Sequence, residues 1–210
     1  FNCDIISADS RQFYKEMIIG TAKPTKKELN QANHHFINNI SVEDKYSSGI
    51  FSREANSFLS NYFLENDYAI LVGGSGLFID SVIYGLDDMP KVPESFRNDL
   101  NELFKKEGIE YLLEKLNTSD PKYFKIVDKK NHRRVIRALE VSIQSKKPYS
   151  SFLGKKYHSK YNHVSIALND ERNNIHNLIN DRVDLMLKNG LLDEAEPVSY
   201  THLRAHETLG

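Results

Sequence analysis

Two short apolar segments, each followed by a chemically distinctive turn, constrain the fold more than any other feature of the sequence. The first is Cys3–Ala8, which runs into Asp9-Ser10-Arg11-Gln12. The second is Tyr68–Val72, which runs into Gly73-Gly74-Ser75-Gly76. Between them, Ser48–Phe63 carries apolar residues at helical spacing and is predicted to be an amphipathic helix. Strands that alternate with helices predict an α/β fold with a parallel sheet and right-handed crossovers.

The sequence predicts an α/β core that is interrupted by a helical insertion. Asp87-Asp88-Met89-Pro90 and Val92-Pro93 form a cluster of breaking residues, which is typical of a domain boundary. Beyond it the pattern is helical until His163–Leu168, where weak alternation predicts a return strand. The expected domains are an α/β core at 1–89, a basic helical insertion at 90–162 and a return to the core at 163–196.

Capping residues place two helices of the insertion. Ser95 predicts the start of a helix that runs to about Lys106, and Asn131 predicts the start of another over His132–Ser145. The apolar face of this second helix is predicted to comprise Ile136, Leu139 and Ile143. The other predicted elements are helices at Lys26–Asn33, Leu77–Tyr84, Ile109–Leu116 and Asn173–Asn189 and a strand at His35–Ile40.

Positive charge is concentrated in the insertion. Residues 121–163 contain 12 lysines and arginines but only two acidic residues, although the net charge of the whole chain is −1. Arg133, Arg134 and Arg137 share one face of the predicted helix, and guanidinium groups suit phosphates because they present a planar fork of donors. This pattern predicts nucleic-acid binding, although a solvated helix face would have the same composition.

Composition excludes several classes of protein. No apolar run approaches the roughly 18 residues of a membrane span. The single cysteine, Cys3, excludes a disulfide framework and a cysteine-rich zinc site, and it is typical of the reducing cytoplasm. We therefore expect a cytoplasmic protein with no membrane partner.

The last residues differ abruptly in composition from the rest. Residues 197–210 lack the Asn, Lys, Ile and Asp that dominate residues 1–196. Val198–Thr208, VSYTHLRAHET, resembles one reading frame of a transposase adapter used in sequencing libraries. We therefore expect 197–210 to be an adapter-derived tail, and we do not interpret His202 and His206 as metal ligands despite their spacing.

The two turns are the candidate reactive elements. Asp9 is predicted at the carboxyl end of a buried strand, where open α/β sheets bind ligands. A carboxylate there could accept a proton or hold Mg²⁺, or it could simply cap the next turn. The glycines of residues 73–76 could bring backbone N–H groups to a phosphate, or they could form a tight turn. They are not a Walker A loop, because no Gly-Lys-Ser/Thr follows.

His34 and His35 form a further polar pair. They could face a ligand, but the simpler interpretation is a pair of histidines in a loop or in the core.

Taken together, five strings resemble the tRNA dimethylallyltransferase family, also called the tRNA isopentenyltransferases. They are IISADSRQFYKEMIIGTAKPT (5–25), HHFINNISVEDKYSSGIFSREA (34–55), ILVGGSGLFIDSVIYGL (70–86), RRVIRALEV (133–141) and DRVDLMLKNGLLDEA (181–195). The resemblance implies a P-loop NTPase-like core that binds dimethylallyl diphosphate with Mg²⁺, and a helical insertion that grips the tRNA anticodon stem-loop. The implied reaction transfers the dimethylallyl group to N6 of a flipped-out adenosine at tRNA position 37.

The resemblance also assigns roles to residues. Asp9 matches the general base, and Ser10, Arg11 and Gln12 match neighbours that contact tRNA. Ser75 stands where the family usually has a threonine near the substrate base. Arg97 matches a tRNA-contacting arginine, and the segment Arg133, Arg134, Val135, Ile136 and Arg137 matches the tRNA-contacting part of the insertion.

The chain also departs from the family pattern. The family's glycine-rich phosphate loop is expected upstream of Phe1 and the C-terminal helices are expected after about Glu196, so the chain alone is expected to be inactive. Leu178 stands where members often carry an arginine, which puts a diphosphate contact there in doubt.

Two other classes share parts of the pattern. A P-loop small-molecule kinase would have the same sheet and acidic strand end, and a non-catalytic RNA-binding module would have the same basic helix. The basic insertion argues against the kinase, and Asp9 at the strand end would be idle in the RNA-binding module. We expect a monomer.

Overall fold

The structure of the protein, a computed structural model, describes residues 1–154 and 159–198. It divides into two compact units. One, the sheet unit, contains residues 1–85 and the described residues from 159 onward, and the other, the helical unit, contains the described residues from 86 to 154.

The sheet unit is built on three parallel strands. They are β1 (Ile5–Ser7), β2 (His34–His35) and β3 (Ile70–Val72), in the order β2-β1-β3. Ile5 lies opposite His34 on one side and opposite Ile70 on the other. The parallel sheet expected from the sequence is therefore confirmed, with strands shorter than their apolar segments.

Helices connect and follow these strands. They are α1 (Lys26–Leu29), α2 (Ser48–Tyr62), α3 (Gly76–Ile83) and α7 (Arg172–Lys188), and helical residues continue at 191–198. The helix predicted before β3 is confirmed as α2, and Ser47 caps it by accepting a hydrogen bond from the Ile50 N–H.

One face of β1 packs on α2 and forms the core of this unit. Ile6, Phe51 and Ala55 are fully buried there. Phe13 closes the cluster, with its ring 5.3 Å from that of Phe51. The apolar stripe of α2 is therefore the face that covers the sheet.

The predicted return strand is wrong for the described residues. Residues 163–170 form no strand, and Val164, Ile166 and Leu168 are at least 85% exposed. A strand needs a hydrogen-bonded neighbour, and no described strand pairs with this segment. The apolar segment Tyr68–Val72 also predicts a buried strand, and this is wrong because β3 is an edge strand whose Val72 is 52% exposed.

The helical unit packs two long helices against each other. They are α4 (Glu94–Ser119), which is interrupted at Gly108 by a φ of 79°, and α6 (His132–Ser145). A short helix α5 (Pro121–Phe124) and a 3-10 turn (Tyr149–Ser151) complete the unit. Its core contains Leu100, Leu112, Leu113, Leu116, Val127, Val135, Ile136, Ala138 and Leu139.

Two details of the predicted helices are wrong. Ser95 does not cap α4, which begins one residue earlier after Pro93. Ile143 is 44% exposed, and the buried face of α6 instead includes Val135 and Ala138. The predicted cap of α6 is confirmed, because the Asn131 side chain accepts a hydrogen bond from the Arg134 N–H (3.2 Å).

Candidate active site

Asp9 lies two residues beyond the end of β1 and is partly buried. Its Oδ1 accepts a hydrogen bond from the backbone N–H of Arg11 (2.9 Å), and its carbonyl accepts one from the N–H of Gln12 (3.2 Å). These bonds fold residues 9–12 into a compact turn. The turn fixes the carboxylate at the carboxyl end of the strand, where the sequence predicts it.

Two serines join this turn to the glycine-rich segment after β3. The hydroxyl of Ser75 accepts a hydrogen bond from the Ser10 N–H (3.2 Å) and donates one to the Ser10 hydroxyl (3.0 Å). Ser75 stands at the N-cap of α3 but makes no capping hydrogen bond there. The structure therefore brings the two predicted reactive segments together.

Gly73 makes this approach possible. A Cβ atom at Gly73 would lie 2.4 Å from the carbonyl carbon of Ala8 and 2.7 Å from the Asp9 nitrogen. The Ala8 N–H donates to the Val72 carbonyl (2.7 Å), so the two backbones touch directly before Asp9. Glycine is required at position 73 because a side chain would clash with the backbone of Ala8 and Asp9, and not because of its backbone φ angle.

Gln12 connects the Asp9 turn to the loop that precedes α1. Its Oε1 accepts a hydrogen bond from the Ser7 hydroxyl (3.1 Å), and its Nε2 donates to the carbonyls of Thr21 (3.3 Å) and Ala22 (3.4 Å). The side chain is therefore held between a strand end and a loop. Arg11, in contrast, is exposed at the surface.

These elements border a cavity of about 610 Å³ within the sheet unit. Its polar lining comprises Ser7, Asp9, Gln12, Lys23, Glu28, Gln31 and His34. The remaining wall includes apolar residues such as Ile5 and Ile37. A mostly apolar cavity with a few convergent polar groups is the usual form of a small-molecule site.

Lys23 is the cationic group of this cavity. Its Nζ donates hydrogen bonds to the Tyr14 carbonyl and to Asn38 Oδ1. Burial lowers the pKa of Lys23, although the negative charges of Glu194 and Glu16 oppose that shift. Lys23 lies in the stretch 5–25 that resembles the family, but no local pattern there marks it as a cavity residue.

Glu194 holds the same loop from the other side. Its carboxylate accepts hydrogen bonds from the backbone N–H groups of Ile18 (2.7 Å), Ile19 (2.7 Å) and Gly20 (2.8 Å). Burial alone would raise the pKa of Glu194, but these three donors outweigh it and the pKa lies below its usual value. No local sequence pattern predicts this contact, since its partners are about 175 residues away.

The two histidines occupy different environments. His35 contacts Asp4 through Nε2 (2.7 Å) and packs against the ring of Phe58, so it is a structural residue. His34 contacts the Ala32 carbonyl and also lines the cavity.

The predicted RNA-binding residues lie in the helical unit. Arg133 and Arg134 are exposed on α6. Val135 and Ile136 are buried in the core, so the prediction that they contact RNA is not supported for their side chains, which instead hold the helix in place. Arg97 and Arg137 both donate to the carboxylate of Glu140.

Other predictions concern metals, membranes and the tail. Among residues 1–154 and 159–198, no group of three or more His, Cys, Asp and Glu side chains could hold a metal ion. No helix in that part of the chain is long and apolar enough to cross a membrane. His202, His206 and residues 199–210 of the expected tail lie outside the described residues.

Comparisons with known proteins agree with this architecture. The IPP transferase family model matches residues 12–210. The tRNA dimethylallyltransferase of Christiangramia forsetii is 48% identical over 212 residues, which cover 100% of this chain and 70% of that protein. The full-length tRNA isopentenylpyrophosphate transferase of Bacillus halodurans is 35% identical, with a TM-score of 0.60 over 95% of this chain and 62% of that one.

A more distant structure supports the fold alone. A eukaryotic dimethylallyltransferase acting on tRNA aligns with a TM-score of 0.80 at 24% identity, over 98% of this chain and 51% of that one. The family model and the curated relative define the class as a transferase, and the solved structures show a P-loop-like parallel sheet with a helical insertion. The chain belongs to the IPP transferase family, whose function is isopentenylation of tRNA. The small-molecule kinase and the non-catalytic RNA-binding module are not favoured.

Proposed function

We propose that the protein transfers a dimethylallyl group from dimethylallyl diphosphate to N6 of adenosine 37, in tRNAs that read codons beginning with U. The observation that carries the proposal is the position of Asp9, at the end of β1 and on the wall of the cavity. Family membership supports isopentenylation of tRNA, and the position of Asp9 supports its role as the residue that acts on the substrate.

The reaction requires a base beside the attacking amine. The N6 nitrogen forms a bond to the allylic carbon of the dimethylallyl group while the bond from that carbon to the diphosphate oxygen breaks. Asp9 accepts the proton that N6 loses, and diphosphate leaves. The adenosine must leave its stack before N6 can enter the cavity. The hydroxyl groups of Ser10 and Ser75 lie next to the turn that holds Asp9 and are suited to contact the flipped base.

Mg²⁺ would accompany the diphosphate. Asp9 and Glu28 are the carboxylates among the residues that line the cavity, and Mg²⁺ usually keeps waters and substrate phosphates as most of its ligands. When bound, the ion would neutralise charge on the departing diphosphate. We assign no protein ligand to it.

The helical unit would hold the tRNA. Arg133 and Arg134 are exposed on the same helix, in the basic block that was identified from composition. Arginines bind phosphate oxygens through two parallel hydrogen bonds, so this face suits the backbone of an anticodon stem-loop. We propose that the enzyme acts as a monomer.

The test is single-turnover transfer to an anticodon stem-loop, in a chain that carries the family's glycine-rich phosphate loop ahead of residue 1. We expect isopentenylated adenosine at position 37 and none when that adenosine is replaced by guanosine. Transfer to another position, or phosphorylation of a small molecule instead, would contradict the proposal.

A further inference from the structure

A buried carboxylate in the helical unit joins two of the arginines that the family resemblance marks for RNA binding. The Glu140 side chain is 1% exposed, while those of Arg97 and Arg137 are 54% and 36% exposed. Arg97 comes from α4, and Arg137 lies one turn before Glu140 on α6. The acidic group is therefore inside, and its two partners reach the surface.

The contacts place the two guanidinium groups side by side. Arg97 donates through Nε to Glu140 Oε2 (2.9 Å) and through Nη2 to Oε1 (2.7 Å). Arg137 donates through Nη1 to the same Oε1. These contacts leave Nη1 of Arg97, and Nε and Nη2 of Arg137, outside the carboxylate. These N–H groups of the two neighbouring guanidinium groups could donate hydrogen bonds to a second anion.

Electrostatics favour the same arrangement. Two arginines at this separation repel each other unless an anion lies between them. Burial alone would raise the pKa of Glu140, but the hydrogen bonds from Arg97 and Arg137 outweigh it, so the pKa is lowered and the carboxylate stays charged near neutral pH. An ion pair is also a costly way to join two helices, because desolvation offsets much of its attraction. A function beyond bracing α4 to α6 would explain it.

We infer that Glu140 is a positioning residue for RNA binding, which holds Arg97 and Arg137 together so that both contact one backbone phosphate of the tRNA. The inference rests on the proposed function, because it takes tRNA as the ligand. Glu140 itself touches no RNA. It acts by fixing two long side chains that would otherwise lose conformational freedom on binding.

The direction in which one substitution changes the affinity for RNA distinguishes a positioning role of Glu140 from a purely electrostatic one. Glu140→Gln removes a negative charge, so Coulomb attraction alone predicts tighter binding to RNA. Positioning predicts the opposite, because an amide nitrogen repels the guanidinium donors and the pair separates. We expect affinity for an anticodon stem-loop to fall at least about fivefold, and the slope of log K against log salt to decrease by roughly 0.7–0.9, because the contact with one phosphate is lost.

Matched variants complete the experiment, which uses the 210-residue chain and fluorescence anisotropy. Glu114→Gln makes the same charge change at an exposed position of α4 and should leave binding equal or slightly tighter. Leu112→Ala destabilises the same core without touching Glu140, and circular dichroism at the assay temperature verifies that each variant is folded. If Glu140→Gln does not fold, Glu140→Asp keeps the charge, moves the carboxylate by one methylene group and should also weaken binding.

The outcomes separate the inference from the proposed function. A wild-type chain that does not bind the stem-loop would contradict the RNA-binding part of the function, and the inference with it. A wild-type chain that binds in a salt-dependent manner, with Glu140 variants that bind equally well or more tightly, would overturn the inference alone.

Discussion

The helical unit buries its apolar face within itself, whereas the sheet unit leaves much of its apolar surface exposed. Leu112, Leu116 and Leu139 are fully buried between α4 and α6. In the sheet unit, Ile70 is 42% exposed, Leu168 is 99% exposed and no residue of α7 is buried. Amphipathic helices that follow one another can cover each other locally, but a parallel sheet needs partners that are distant in sequence.

Each unit also contains a carboxylate that accepts several hydrogen bonds, and the two carboxylates differ in the type of donor. Glu140 binds two arginine side chains, whereas Glu194 binds three consecutive backbone N–H groups. The first arrangement leaves positive charge at the surface, and the second closes a loop beside the cavity. We therefore expect the helical unit to bind RNA and the sheet unit to hold the reacting groups, and the following predictions test this expectation.

The largest effect is expected at Asp9. In a chain that carries the phosphate loop, Asp9→Ala should slow single-turnover transfer by about 10²–10⁴-fold, because the general base is lost. Binding of the stem-loop should change little if the helical unit supplies most of that affinity. Asp67→Ala is the matched control, since it removes an exposed carboxylate of the sheet unit that does not line the cavity. A transfer rate within threefold of the wild-type rate would remove Asp9 from the mechanism.

The next effect concerns the contact between the two reactive turns. Gly73→Ala would place a Cβ atom against the backbone of Ala8 and Asp9, and we expect the free energy of unfolding to fall by about 3 kcal/mol. Gly74→Ala is the control, because a Cβ atom there would meet nothing within 4 Å. Urea denaturation measures both, and equal stabilities would show that the turns can separate without cost.

The sequence predicted those parts of the fold that local pattern determines. Ser48–Tyr62 and His132–Ser145 are helices with almost the expected bounds, because their apolar spacing and caps lie within the helices themselves. Residues 163–168 were mispredicted because a strand depends on its neighbour more than on its own alternation. Local pattern alone could not have identified the contact of Glu140 with Arg97 or the contacts of Glu194, since those donors lie on other elements.

Of the proposed site residues, Asp9 and Ser75 can be proposed from the sequence because each follows an apolar strand segment in a stretch that resembles the family. The hydrogen bond from the Ser10 N–H to Ser75 brings the two turns together, and it depends on the pairing of β1 with β3. No single sequence segment contains both strands, so local pattern does not predict this contact. Val135 and Ile136 show the opposite case, since they belong to a matching string yet are buried. A sequence segment that resembles the family indicates where a functional region lies, but the packing of the folded chain determines which of its side chains are exposed.

A smaller effect is expected at Glu194. Glu194→Gln keeps one acceptor oxygen and replaces the other with a donor, so we expect a loss of about 1–2 kcal/mol in stability. Because the pKa of Glu194 is lowered in the folded state, its contribution is present above the ordinary glutamate pKa and is lost as the pH falls through the lowered value. The wild-type chain should therefore lose more stability than the variant on acidification to about pH 3. Parallel losses in thermal melts of the two chains would contradict this role.

The smallest effect is expected at the exposed arginines of α6, and it tests whether the helical unit binds RNA through its surface charge. Arg133→Gln and Arg134→Gln should each reduce the slope of log K against log salt by about 0.7–0.9, since each removes one phosphate contact. Neither should change the thermal stability, because both side chains are exposed. Lys105→Gln removes the same charge from an exposed position of α4 outside the basic block and should leave the slope unchanged. If Lys105→Gln lowered the slope as much as the α6 variants, RNA binding would depend on net charge and not on this face of α6.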